Sequence, residues 1–366
     1  MDIRDAVAAS LWSGPGRRRL AALLRARCAS PSAEQAAAGP AAITLESLIR
    51  TATGDTDVRA RADALRVAAE RLLARARSHA IDALALDDAR YPPLLAAIFD
   101  PPPVLWVGGE TDALHGPAVA IVGSRAASPY ALEVADRLGE ELAGRGVTVV
   151  SGLARGVDSA AHRGALAAGG RTVAVLGSGV DVIYPPEHDG LAAHIRARGA
   201  IAGELPPGTP PKPQHFPRRN RLISGLSLAV VVVEASEHSG SLITADCALD
   251  QGREVMAVPG SVLGGRNRGS HGLLKQGAKI VESADDILEE IQGPAAPGVR
   301  AGGGPHPVAD PVLEQMDEGT AYDLDWLADA SGVDRVRLLT RLLDLEIAGV
   351  VRRVDGGRFV RSRRTC

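Results

Sequence analysis

Lysine is almost missing from this 366-residue chain: Lys212, Lys275 and Lys279 are the only ones among 41 basic residues, the rest being arginine. None of the three follows a glycine, so a Walker A loop is absent and P-loop nucleotide hydrolysis is excluded. The cysteines, Cys28, Cys247 and Cys366, are odd in number and far apart. They fit neither a disulfide framework nor a CxxC metal site, and they point to a reducing, cytoplasmic setting. Nine histidines occur without an HExxH or a His/Cys cluster, so no catalytic metal and no cofactor is expected. No apolar run approaches the roughly 20 residues of a membrane helix. The opening MDIRDAVAAS has no basic stretch leading into an apolar core, so no secretory signal is expected. A net charge of -3 excludes a uniformly basic DNA-coating protein but leaves room for a local basic groove.

What is present falls into four stretches. Residues 1–90 carry Leu, Ala and Val at helical spacing, notably Leu20 to Arg27 and Ala62 to Ala80, and predict an N-terminal helical domain. A turn at Ser13 to Leu24 has a vague likeness to a sterile-alpha-motif or helix-hairpin-helix-like unit, and a simple helix start is the favoured reading. Over 91–292, apolar runs alternate with amphipathic helices. The expected strands are Val119 to Val122, Val147 to Val150, Thr172 to Leu176, Ala200 to Gly203, Leu228 to Val233, Val255 to Val258 and Lys279 to Val281. Such continuous runs mean burial on both faces, the mark of a doubly wound parallel sheet. Residues 293–310 read as a Pro/Gly-rich linker. Residues 311–366 read as helices followed by a two-stranded wing turning at Asp355-Gly356-Gly357, a winged-helix domain.

In open α/β sheets the loops after the strands carry the site. The first, Gly123-Ser124-Arg125, leads to Ser128-Pro129, a helix start, and offers amides plus a guanidinium to an anion, a reading placed ahead of a mere surface salt bridge for Arg125. The second contains Asp158, suited to capping a helix, with His162 one turn on. The third holds Gly177-Ser178-Gly179 without the third glycine of the dinucleotide fingerprint. The fourth, Pro206 to Ser224, reads as a stiff extended segment presenting Lys212, Arg218, Arg219 and Arg221, with His215, Phe216 and Asn220 among them. Cations along a backbone with an aromatic face for a base suit single-stranded nucleic acid. Phe216 can serve as that face or plug the core. After the fifth strand, Ser239 and Ser241 open a helix, where capping it does not preclude donating to a phosphate.

Ala120 to Arg125 (AIVGSR), Ser151 to Leu166, Val173 to His188, Phe216 to Ser227 and Ser239 to Gly260, continued upstream by Tyr91 to Gly109, together resemble the DprA/Smf family, the match spanning about Tyr91 to Ile291. The resemblance implies an extended Rossmann-like fold that dimerises, binds single-stranded DNA in a basic pocket and loads the RecA recombinase during natural transformation, without breaking a bond. Its DNA-contacting motif falls on Arg125, Lys212 and Phe216, with Gly123, Ser124 and Arg218 to Arg221 nearby. The scarcity of lysines and aromatics is a departure. A rival reading, cleavage of a nucleotide's glycosidic bond, needs Glu204, Asp158 or Glu234 as the acid, and the PGGxGTxxE segment of such enzymes is absent. The expectation is therefore a cytoplasmic, non-enzymatic homodimer that partners single-stranded DNA and RecA, with no cofactor and no membrane.

Overall fold

Alternating burial on both sides of short valine-rich strands sets the architecture. The protein's structure, a computed structural model, describes residues 2–11, 44–53, 58–292, 312–316, 320–331, 338, 342, 345–346, 351–354 and 358–361. The helix at Leu20 to Arg27, the hairpin reading at Ser13 to Leu24, the linker and the turn at Asp355 to Gly357 lie outside these residues. The chain forms two compact units, 1–295 and 296–366.

In the larger unit three helices come first: α1 (Ile3–Ser10), α2 (Leu45–Thr53) and α3 (Arg59–Ser78). Strands β1 (Ile81–Ala85) and β2 (Val104–Gly109) follow, with the short α4 (Pro93–Ala96) between them. Then come β3 (Ala118–Val122), α5 (Pro129–Gly144), β4 (Thr148–Ser151), α6 (Val157–Ala167), β5 (Thr172–Leu176), α7 (Asp189–Arg198) and β6 (Ala200–Gly203). The second half runs α8 (His215–Gly225), β7 (Ala229–Val232), α9 (Gly240–Asp250), β8 (Glu254–Ala257), α10 (Arg268–Lys275), β9 (Lys279–Ile280) and α11 (Ala284–Gln292).

The sheet order is β1-β2-β6-β5-β4-β3-β7-β8-β9. From β6 to β9 every pairing is parallel, whereas β1 pairs β2 and β2 pairs β6 antiparallel. The expected doubly wound parallel sheet is thus extended by an antiparallel edge. That edge starts inside the stretch read as helical: Ile81–Ala85 is a sheet strand, and Ala6, Ala62, Ala69 and Ala76 of the N-terminal helices belong to the same buried cluster as the sheet face.

Along β3, Val119 and Ile121 enter the core under α5, α6 and α11, while Ala120 and Val122 enter the core under α7, α8 and α9. β7 repeats this with Ala229 and Val231 against Val230 and Val232. With both faces covered, no position needs a polar side chain, which explains the unbroken apolar runs. The chain leaves β3 toward β4, β5 and β6, then returns to place β7 on the other flank of β3. The switch point therefore lies between β3 and β7, where doubly wound sheets open a crevice.

The smaller unit has its own core of Val312, Met316, Leu327, Leu338, Leu342, Leu345, Val351 and Phe359. Around it run β10 (Ala321–Tyr322), α12 (Leu324–Ser331), β11 (Val351–Val354) and β12 (Arg358–Arg361), with the antiparallel order β10-β12-β11. β11 and β12 are the two strands of the wing.

Candidate functional site

At the switch point the loops after β3, β4 and β7 and the first turns of α8 surround a cleft of about 580 Å³. The Gly123-Ser124-Arg125 loop is fixed on both sides. Its Ser124 amide donates to the Glu234 carbonyl at 2.7 Å, and the Val157 amide donates to the Ser124 carbonyl at 3.2 Å. Gly156 makes this contact possible: its φ is +78, and a Cβ there would stand 2.2 Å from the Ser124 carbonyl oxygen. Beside it Leu153 holds a left-handed φ of 59 although fully buried. Such a conformation costs on the order of 1 kcal/mol and clusters at functional sites.

Ser128 caps α5 as expected, accepting from the Ala131 amide with Pro129 in the first turn. The helix end is nevertheless not an open anion site. The Ser128 amide and hydroxyl donate to the buried Glu234 carboxylate at 3.2 and 2.6 Å, so an internal acid already takes the place that favours negative charge. Gly123, Ser124 and Arg125 of the first loop all line the cleft, and Arg125 is the exposed member of the three.

The fourth loop departs most from its sequence reading. From His215 onward it is helix α8, not an extended segment. Pro217 occupies the third helical position, where an N–H has no intrahelical partner, so the proline does not break the helix. One face carries Phe216, Arg219, Asn220 and Ile223, spaced i, i+3, i+4 and i+7, and all four line the cleft. The Phe216 ring is half-buried on the cleft wall. The Arg125 guanidinium lies 5.4 Å from its centroid, and Tyr184 meets it at 5.6 Å with a tilt of 44°. Phe216 is therefore neither a core plug nor a free ring on a loop.

Arg219 forms the floor. It is 6% exposed and lies so close to Gly152 that a Cβ there would fall 1.6 Å from its Nη1. Burial lowers its pKa to about 10, with the nearby Asp158 carboxylate opposing the fall and Arg125 adding to it. It stays protonated at neutral pH. Burial also pushes the Asp158 carboxyl up, against the Arg219 charge and the amides of Ala154 and Gly152. Asp158 accepts from Gly152 and Ala154 at 3.1 and 3.4 Å, so it ties its own loop instead of capping α6, whose N-cap is Gly156.

The remaining expected residues separate into those near the cleft and those turned from it. Ser239 caps α9, its hydroxyl 2.7 Å from that of Ser241, and both line the cleft. Asn220 donates from Nδ2 to the Gly240 carbonyl at 3.2 Å, joining α8 to α9. Arg218 and Arg221 are turned away and clasp Glu204 at 3.0 and 2.7 Å. His215 is on that same side, in a small hollow with Glu204 and Leu222. Lys212 is exposed ahead of α8, and its neighbour Pro213, not Lys212, lines the cleft. His162 is fully buried and bonded through Nδ1 to Thr172 at 2.7 Å, away from the cleft. Tyr184 and Thr244 line the cleft and were not singled out from sequence. Tyr184 carried a usable signal, as one of four tyrosines placed in a Gly/Pro-rich loop. Among the described residues no His, Cys, Asp and Glu group could hold a metal ion, and no helix is long and apolar enough to cross a membrane.

A doubly wound α/β unit with a cationic, aromatic-walled cleft at its switch point defines a Rossmann-like protein. The family follows from comparison: residues 82–292 match the model of DNA recombination-mediator protein A, and residues 294–357 match the DprA winged helix domain. Protein Smf of Escherichia coli K12 is 45% identical over 291 residues, covering 76% of this chain and 77% of the relative. DNA processing protein DprA of Bacillus subtilis is 44% identical over 222 residues, 60% of this chain and 75% of the relative. The crystal structure of DNA processing protein A from Streptococcus pneumoniae superposes with a TM-score of 0.57 at 40% identity, covering 62% of this chain and 81% of that one. A Helicobacter pylori structure, described for its single-stranded DNA binding mode, gives 0.53 at 29% identity, over 58% and 95% of the two chains. The chain belongs to the DprA/Smf family of DNA-processing proteins.

Proposed function

We propose that the protein binds single-stranded DNA in this cleft with little sequence preference, as a cytoplasmic homodimer, and hands the strand to RecA during natural transformation. The observation that carries the reading is the stack at the cleft mouth: a guanidinium for phosphate, Arg125, set over an aromatic face for a base, Phe216, with Tyr184 beside it. A ring of this kind stacks any base, which favours sequence-tolerant binding. The single-stranded DNA binding mode of the H. pylori relative supports the same ligand here.

The reading includes no bond cleavage. Glycosidic cleavage needs a carboxylate free to act on a bound sugar, and the three candidates are engaged. Glu204 holds Arg218 and Arg221, Asp158 accepts two amides, and Glu234 accepts from Ser128. The test is equilibrium binding to matched single- and double-stranded oligonucleotides, with each mixture also assayed for released base. Preferential binding of the single strand with no base released is expected; equal binding of the duplex, or base release, overturns the proposal.

A further inference from the structure

The cleft floor holds a buried cation, Arg219, beside an acid that gives it no hydrogen bond. Arg219 Nε has no hydrogen-bond partner, and Asp158, the acid that acts on it, gives its carboxylate oxygen to backbone amides instead. Arg219 and Arg125 are close enough to repel each other. Facing them is the N-terminal turn of α9, an 11-residue helix whose Ser239 and Ser241 hydroxyls are on the cleft wall. A buried guanidinium with an unpartnered Nε, lining the same cleft as a helix N-terminus, is a receptor for an anion.

The shape of the cleft restricts which anion. Its rim residues Arg125, Tyr184, Pro213 and Pro217 are exposed, whereas Asp158, Arg219 and Thr244 at the floor are buried. At about 580 Å³ it has the size of a small-ligand pocket. A strand passing through would have to carry a phosphodiester down to Arg219 and back, with a sugar on each side. A chain end has to enter only once. A terminal phosphomonoester also carries about -1.5 to -2 charges at neutral pH, matching two guanidinium groups better than a singly charged diester.

We propose that this floor is a subsite for the terminal phosphate of a DNA strand, bound by Arg219 and the first turn of α9 while the adjoining base stacks on Phe216. The inference rests on the single-strand reading above and adds to it a preference for phosphorylated ends.

The experiment uses the full chain and a fluorescein-labelled oligothymidylate, displaced by unlabelled oligomers of one length ending in a 5′-hydroxyl, a 5′-phosphate or a 3′-phosphate. Thymidine and thymidine 5′-monophosphate serve as minimal probes. One phosphorylated end is expected to compete about tenfold better than the hydroxyl end, the worth of one charge-assisted hydrogen bond. The monophosphate should compete where the nucleoside does not. Gly152→Ala, whose new methyl would displace the Arg219 guanidinium without removing its charge, should erase the difference between ends. Equal competition by all three ends, with the labelled strand bound normally, overturns the subsite and leaves the single-strand reading intact. Failure of the labelled strand to bind at all overturns that reading itself.

Discussion

Arg125→Ala and Phe216→Ala perturb the two halves of one stack and should separate by their response to salt. Arg125 contributes charge, so its loss should flatten the slope of log K against log salt by about 0.7, the share of one phosphate contact on a single strand. Phe216 contributes a face, so its loss should cost about 1–3 kcal/mol with the slope unchanged. The two are not independent, because the guanidinium lies 5.4 Å from the ring centroid before any strand arrives. Removing the ring frees Arg125 from a position worth about 0.5–1 kcal/mol at an exposed site, so the double variant should lose less than the sum of the single losses by about that amount. Fluorescence anisotropy at four or five salt concentrations measures all three quantities. Phe216 is on a cleft wall, so its truncation should destabilise by well under the roughly 3–5 kcal/mol of a core phenylalanine. A large fall in unfolding free energy with normal binding would refute the stacking role, and an unchanged salt slope in Arg125→Ala would refute the phosphate role.

Three further outcomes follow from the same geometry. Burial holds the His162 imidazole down to about 3, so the unfolded chain binds its proton first and stability drains as pH falls below about 6.5. Between pH 7 and 5 the loss should be about 2 kcal/mol larger in the natural chain than in His162→Gln, measured by urea unfolding; parallel pH profiles would contradict this. Glu204→Ala strands the Arg221 guanidinium, whose side chain is 13% exposed, and should cost about 2–4 kcal/mol, with Asp100 at 3.6 Å offsetting part of the loss. A denaturation midpoint within error of the natural chain would show the pair to be idle. Residues 1–295 alone should retain single-strand affinity, since every cleft residue belongs to that unit; loss of binding on titration would assign the site to the C-terminal unit instead.

The parallel half of the sheet was legible because its strands are buried on both faces and read as unbroken Val/Ala runs, as at Val119 to Val122 and Thr172 to Leu176. β1 was not, because Ile81–Ala85 is short, contains Asp82 and leaves one face partly open, which removes the apolar run that marks a buried strand. Arg125 and Phe216, picked out by residue type and loop position, lie together on the cleft. The extended reading of the segment holding Arg218 and Arg221 came from weighting prolines and cations above period. Phe216, Arg219, Asn220 and Ile223 repeat at helical spacing, and that spacing turns Arg218 and Arg221 toward Glu204. Tyr184 reaches Phe216 from a loop 32 positions earlier, a contact that only the folded sheet creates.

Whether the strand occupies this cleft can be read by photocrosslinking the protein to an oligonucleotide carrying 5-iodouracil. Adducts are expected on Phe216 and Tyr184, the aromatic walls of the cleft. Adducts confined to the stacked pair Tyr322 and Trp326 of the smaller unit, with none on Phe216 or Tyr184, would contradict that occupancy.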